Sequence, residues 1–228
     1  MKLQEKKIIL GSASPRRRQL LSAIFPSVEV RVKNTDETFP SHLKASEIPL
    51  FLAEEKSNSF KGEILRGEIL ITADTIVWFD NHVLNKPADA SEALDMLRKL
   101  AGKVHRVYTG VCIAAIRAKE SFSVMSEVEF IPADDKTLTD YIRQYQPFDK
   151  AGSYGAQECL PDGYNPLSDK EKSFLKSIHR TDLFETSLAV KDHAKVPLIK
   201  RIEGSYFNVM GLPVVELFTM LEKEFADQ

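Results

Sequence analysis

The chain has 228 residues, 43% hydrophobic and 28% charged, which suits one packed domain or two small lobes. A net charge of -2 gives no basis for a general nucleic-acid or membrane-surface binder, because a polyanionic partner demands a basic excess. No apolar run reaches the length of a signal-peptide core or a membrane span, and Cys112 and Cys159 form no CxxC pair, so a soluble cytoplasmic protein is expected.

Ile8, Ile9 and Leu10 form a short apolar run that ends at Gly11, as a buried strand feeding a tight loop would. Ser14-Pro15 then marks a helix start, with Ser as cap and Pro in the first helical position. A second helix is expected over residues 46–60, with Leu50, Phe51 and Ala53 inward and Lys56 near its end. Residues 69–79 (ILITADTIVWF) are a nearly continuous β-rich run, the pattern of a central strand covered on both faces. Asp80-Asn81 is a hairpin turn into residues 82–84.

Asp89 with Glu92 opens a helix through Leu94, Leu97 and Leu100, and Gly102 ends it. Residues 104–116 and 122–131 are two long strands, read as an antiparallel pair, and a short helix follows around 139–145. Residues 147–158 (PFDKAGSYGAQE) are polar and glycine-rich, as in a functional loop. Residues 160–196 are polar and too short to bury their own core; a surface insertion is expected, with a helix near 168–178. A last strand at 198–202 and a helix over 214–225 complete an α/β chain with a mixed sheet, read as one domain over 1–228.

Four features bear on chemistry. The loop Gly11-Ser12-Ala13-Ser14 ahead of a helix offers free backbone N–H groups to an anion, and Arg16 and Arg17 add permanent charge in the first turn. Positive side chains oppose the macrodipole at that end, a cost that a bound phosphate would relieve; a solvated surface helix is the plainer alternative. Asp74 interrupts an apolar strand, so it either faces a polar site or caps local backbone, with Thr72 and Thr75 beside it. Asp36-Glu37, taken alone, fits a solvated loop. Lys56 and Lys86 are unremarkable singly, although Lys86 follows the hairpin after Asp74 and can return toward the same place. Neither a Walker A loop nor GxGxxG occurs, no histidine pair has metal-ligand spacing, and His105 is most simply a core or edge residue.

Taken together, these segments resemble the Maf family of nucleotide pyrophosphatases. The likeness runs in order through Ser12-Ala13-Ser14-Pro15-Arg16-Arg17, Asp36-Glu37-Thr38, Ala53-Glu54-Glu55-Lys56, Ala73-Asp74-Thr75, Asn85-Lys86-Pro87, Gly102-Lys103-Val104-His105 with Thr109-Gly110-Val111, Asp149 to Gly155, and Gly204-Ser205-Tyr206 with Asn208 and Gly211-Leu212-Pro213. The resemblance implies an elongated mixed sheet flanked by helices, two lobes around a cleft, and a homodimer. It also implies hydrolysis of a nucleoside triphosphate between its α and β phosphates, aided by Mg2+ or Mn2+. Asp74 then corresponds to the proton acceptor, Ser12, Arg16, Lys56 and Lys86 to phosphate-holding positions, and Glu37 to an acidic position linked to metal or water.

Arg16, Thr75 and Gln157 match the branch that acts on dTTP and UTP; a branch acting on 7-methyl-GTP carries Trp, Gln and Glu there. A Gln amide both donates and accepts, which suits the O4 and N3–H of a uracil or thymine edge. Two departures accompany the likeness: residues 160–196 intervene where the family passes quickly onward, and Glu158 stands where glycine is common. The alternatives at this level are a nucleotide-binding regulator of cell division without turnover, or a pyrophosphatase for another modified nucleotide.

Overall fold

The structure, a computed structural model, describes residues 3–183 and 195–226. Strand β1 (Lys7–Leu10) pairs in parallel with β2 (Val28–Val30) and with β3 (Glu68–Phe79). Strand β3 pairs antiparallel with β4 (His82–Leu84) and β5 (Val104–Ala114); β6 (Lys119–Phe130) and β7 (Ile199–Glu203) extend the antiparallel half. The product is one mixed sheet ordered β2-β1-β3-β5-β6-β7, with β4 attached to β3.

Because side chains alternate along a strand, β3 feeds cores on both faces of the sheet. Ile71 and Ala73 join the larger one, with Leu20 of α1 (Pro15–Ile24), Leu97 of α3 (Ala90–Leu100), Leu138 of α4 (Asp135–Tyr145) and Leu217 of α8 (Val214–Glu224). Ile76 faces the opposite side, where Ile48 and Leu52 of α2 (Glu47–Asn58) cover the sheet. Ala53 of α2 is buried as expected, but Leu50 and Phe51 are only half-buried. Pro49 in the first turn is tolerated because its missing N–H has no intrahelical partner there; the inward stripe is Ile48, Pro49, Leu52 and Ala53.

The local signals acted as their chemistry requires. Ser14 caps α1 through Arg17 N, and Asp80 and Asn81 adopt φ of 50° and 60°, the left-handed pair that a two-residue hairpin needs. Helix α4 begins at Asp135, earlier than expected, because the Asp134 carboxylate caps it through Thr137 N. His105 is buried, its Nε2 pairing with the Tyr154 hydroxyl at 2.8 Å, and burial pushes its imidazole down to about 3.

Of the expected insertion, residues 184–194 lie outside the described residues. The remainder follows directly on α5 (Ala156–Cys159) and holds α6 (Asp169–Ser177) within it. Leu160, Leu167, Leu175 and Leu183 are buried in the larger core, so this segment packs into the molecule as well as covering it.

Length differences within the sheet create the opening that matters. Strand β3 has 12 residues and β1 has 4. The last rung between them is Gly11 N to Ile71 O at 2.8 Å, after which the chain peels away beside residues 72–75. On the other side of β3, Gly110 lies opposite Asp74 and directly under α2; a Cβ there would fall 2.3 Å from the Pro49 carbonyl. Gly110→Ala is therefore expected to push α2 off the sheet, lowering stability by about 1–3 kcal/mol and displacing Lys56. Chemical denaturation checks this, and an unchanged midpoint would contradict so close an approach.

Candidate active site

Ser12, Arg16, Arg17, Glu37, Lys56, Asp74, Thr75, Lys86 and Gln157 all line one cleft of about 880 Å³. Seven separate segments bring them there, with Glu37 on the loop after β2 and Lys86 on the loop after β4. The loop after β1 and the first turn of α1 give the first three; β3 gives Asp74 and Thr75, α2 gives Lys56, and α5 gives Gln157.

Asp74 is 8% exposed yet opens to the cleft rather than to the core. Its carboxylate accepts from Lys56 Nζ at 2.5 Å. Lys56 also donates to Glu37 at 3.1 Å, and Glu37 reaches Lys86 at 3.3 Å through its other oxygen. Two lysines and two carboxylates thus form one connected cluster. Partial burial would raise the Glu37 carboxyl, but the charges and hydrogen bonds of Lys56 and Lys86 outweigh it and hold Glu37 below the usual carboxylate range.

Arg17 occupies the cleft wall but spends its guanidinium on the protein. Its Nε donates to Gly211 O at 2.8 Å, one terminal nitrogen to Ala73 O at 2.7 Å and Ser12 Oγ at 3.1 Å, and the other to Thr75 Oγ1 at 2.9 Å. The Ala73 carbonyl lies on the edge of β3 that β1 has just vacated, so Arg17 replaces the missing strand as its partner. Burial lowers the Arg17 pKa, and the nearby Asp74 charge counters this in part.

Proton counting assigns roles to the two hydroxyls. Ser12 Oγ accepts from Arg17 and from Ser14 N at 3.3 Å, which leaves its own proton for a ligand oxygen. Thr109 gives its proton to the Asn208 carbonyl at 3.0 Å, so Thr75, at 3.0 Å, must donate to Thr109. Thr75 also accepts from Arg17, so it meets a ligand only as an acceptor.

Asp149 and Lys150, ambiguous in the sequence, belong to the same cleft. Lys150 donates to Asp149 at 3.0 Å, and Arg16 lies 3.9 Å from the other carboxylate oxygen. Lys150 is buried, and Glu158 sits 3.5 Å from it. The Glu158 carboxylate also accepts from the Tyr141 hydroxyl at 2.6 Å and fills the space beneath Gly155. It therefore has a structural seat where glycine was the expected residue.

Among the described residues, no group of three or more histidine, cysteine or acidic side chains could hold a metal alone. The pair Glu37 and Asp74 suits a different mode, in which a hard divalent cation takes one or two carboxylates and completes its shell with phosphate oxygens and water. Among those same residues no helix is long and apolar enough to cross a membrane, and both cysteines are free and buried.

The family profile described as Maf-like protein matches residues 7–161 and 178–224. A relative from Phocaeicola vulgatus, named dTTP/UTP pyrophosphatase, is 42% identical over 222 residues, or 97% of each chain. Relatives of the same name from Bacteroides thetaiotaomicron and Flavobacterium johnsoniae are 37% and 36% identical, over 97% and 96% of each chain. Among solved structures, the Staphylococcus aureus Ham1 protein matches 55% of this chain and 72% of its own at 14% identity and a TM-score of 0.41.

Proposed function

The chain belongs to the Maf-like protein family, and from that membership we propose that it hydrolyses dTTP and UTP to the nucleoside monophosphate and pyrophosphate. The observation that carries the reading is the convergence, in one cleft, of Asp74, a helix-opening loop and the basic side chains Arg16, Lys56 and Lys86 from three different segments. Relatives named for this activity share the chain over nearly its full length.

In this reading, water attacks the α-phosphorus in line with the departing pyrophosphate. Asp74 takes the proton, as a positioned general base does. Ser12 donates to a phosphate oxygen, while Arg16, Lys56 and Lys86 hold the triphosphate. Lys56 has three donors, of which two go to Asp74 and Glu37, so one is left for phosphate. A divalent cation, Mg2+ or Mn2+, would take Glu37 as its protein ligand and neutralise charge on the leaving group.

Gln157 and Thr75 supply the base-side polarity. The amide of Gln157 matches the mixed edge of a pyrimidine, and the acceptor-only Thr75 suits a donor group of the nucleoside. The partner is a small molecule, with no nucleic-acid polymer and no membrane. A cytoplasmic setting agrees with the two free cysteines. The family likeness adds a homodimer, which sedimentation at a single 25.7 kDa mass would remove.

The deciding experiment offers dTTP, UTP and 7-methyl-GTP with Mg2+ or Mn2+ and scores pyrophosphate. Faster release from dTTP and UTP is expected. Preference for 7-methyl-GTP would overturn the substrate assignment, and tight dTTP binding without pyrophosphate would favour a non-catalytic regulator.

A further inference from the structure

Helix α6 lies in residues 162–177, which the family profile leaves unmatched, yet it sends a carboxylate to the back of the cleft wall. We propose that Glu171 is a positioning residue: it pins residues 205–211 against β5 and, through them, fixes Thr75 and Arg17. Its kinetic consequences rest on the nucleotide reading above; its structural ones do not.

Glu171 occupies the third position of α6, where a carboxylate ordinarily closes a capping box at a solvated helix start. One oxygen does this, accepting from Ser168 N at 2.9 Å and from the Ser168 hydroxyl at 2.8 Å. A surface cap needs nothing more. Here the residue is 1% exposed, and its other oxygen turns inward to the Ser205 hydroxyl at 2.7 Å and the Phe207 N–H at 3.0 Å. All four partners are neutral donors. A carboxylate withdrawn from water at such cost is not explained by starting a nine-residue helix. The inward pair is explained if it holds α7 (Tyr206–Val209) in place.

The constraint then passes on by hydrogen bonds whose directions are fixed. The Ser205 hydroxyl, donating to Glu171, accepts from Asn208 N at 3.0 Å. The Asn208 amide donates to Val107 O at 3.0 Å and to Ser126 at 2.9 Å, locking α7 onto β5 and β6. The Asn208 carbonyl is the acceptor for Thr109, and Thr109 orients Thr75. Beyond α7, Gly211 O receives Arg17 Nε. Each hydroxyl has one proton, so a shift at Ser205 or Asn208 finds no spare donor along the path. Val209, Met210 and Gly211 also line the cleft directly.

Glu171→Gln keeps the volume but presents an NH2 group to one of the two donor pairs. Glu171→Asp keeps the charge but shortens the reach, and it carries the test if the glutamine variant does not fold. Three measurements separate positioning from simple stability. The first is amide exchange, which needs no substrate: faster exchange is expected at residues 209–211 and 12–17, beyond α6 itself. Change confined to residues 168–177 would overturn the proposal.

The second is kcat and KM for dTTP. The expected result is a fivefold to twentyfold lower kcat/KM carried mainly by KM, with Glu171→Asp between wild type and Glu171→Gln. Values within twofold of wild type, despite a lowered melting temperature, would also overturn it. The third is a cycle with Thr109→Val. Both changes cut one path, so their effects on kcat/KM should not multiply; multiplicative kinetic effects count against the path. If the wild-type protein leaves dTTP intact, the nucleotide reading fails, and amide exchange still decides the role of Glu171.

Discussion

Asp74→Asn is expected to lower dTTP turnover by about 10²–10⁴-fold while nucleotide affinity holds or tightens. The asparagine matches aspartate in shape and can still accept from Lys56 through its amide oxygen. What disappears is the basic oxygen and one negative charge. Lys56, now facing only Glu37 as an anionic partner, becomes a stronger phosphate ligand. A single-turnover assay with a parallel binding measurement separates the two effects. Turnover within tenfold of wild type would remove Asp74 from the role of general base. Weakened binding with normal turnover would place it instead among groups that hold the nucleotide.

The placement of Asp74 was legible in the sequence as an anomaly, an acid within an apolar strand, but its consequence was not. Local punctuation carries far: Ser14-Pro15 and Asp80-Asn81 each commit the backbone within two residues, the first starting α1 and the second turning β3 into β4, both where expected. Strand β2 went unread because Val28–Val30 is three residues long at the edge of the sheet, too brief for alternation to stand out. A related limit applies to α2, where six consecutive apolar residues, 48–53, gave no phase until the sheet chose Ile48 and Leu52.

The cleft residues fall into two groups by the distance of their partners. Lys56 lies 18 residues from Asp74, and ordered family blocks were enough to associate them. Glu171 looks like a routine capping-box residue, because its two inward partners lie 34 and 36 residues on and only the fold brings them back. Lys150 and Glu158 illustrate the same point. Each is an ordinary charged residue in sequence, and the Tyr141 hydroxyl that seats Glu158 sits on another helix.

Arg17 is the extreme case, and it yields the other large prediction. In sequence it repeats Arg16 and counts as a second phosphate-gripping charge. In the structure its acceptors lie 5, 56, 58 and 194 residues away, and together they join the start of the chain to its end. Arg17→Lys retains the charge but not the fork. An ammonium has three donors radiating from one point, so it cannot span the four acceptors that a planar guanidinium meets. Groups left unpaired in a half-buried site cost about 1–3 kcal/mol each, and a loss of about 2–4 kcal/mol in stability is expected.

The kinetic effect should be larger than charge conservation suggests. Ser12 and Thr75 lose their common anchor, and the carbonyl preceding Asp74 loses the partner that stands in for the missing strand, so kcat/KM should fall by about 10–10²-fold. Arg16→Lys provides the contrast. Among the described residues Arg16 makes one long ion-pair contact, with Asp149 at 3.9 Å, so its replacement should leave folding intact and act on KM. Denaturation midpoints and dTTP kinetics of the two variants, measured side by side, test the distinction. If both variants lose activity equally and neither loses stability, Arg17 is a second phosphate ligand after all, and the anchoring role assigned to it is wrong.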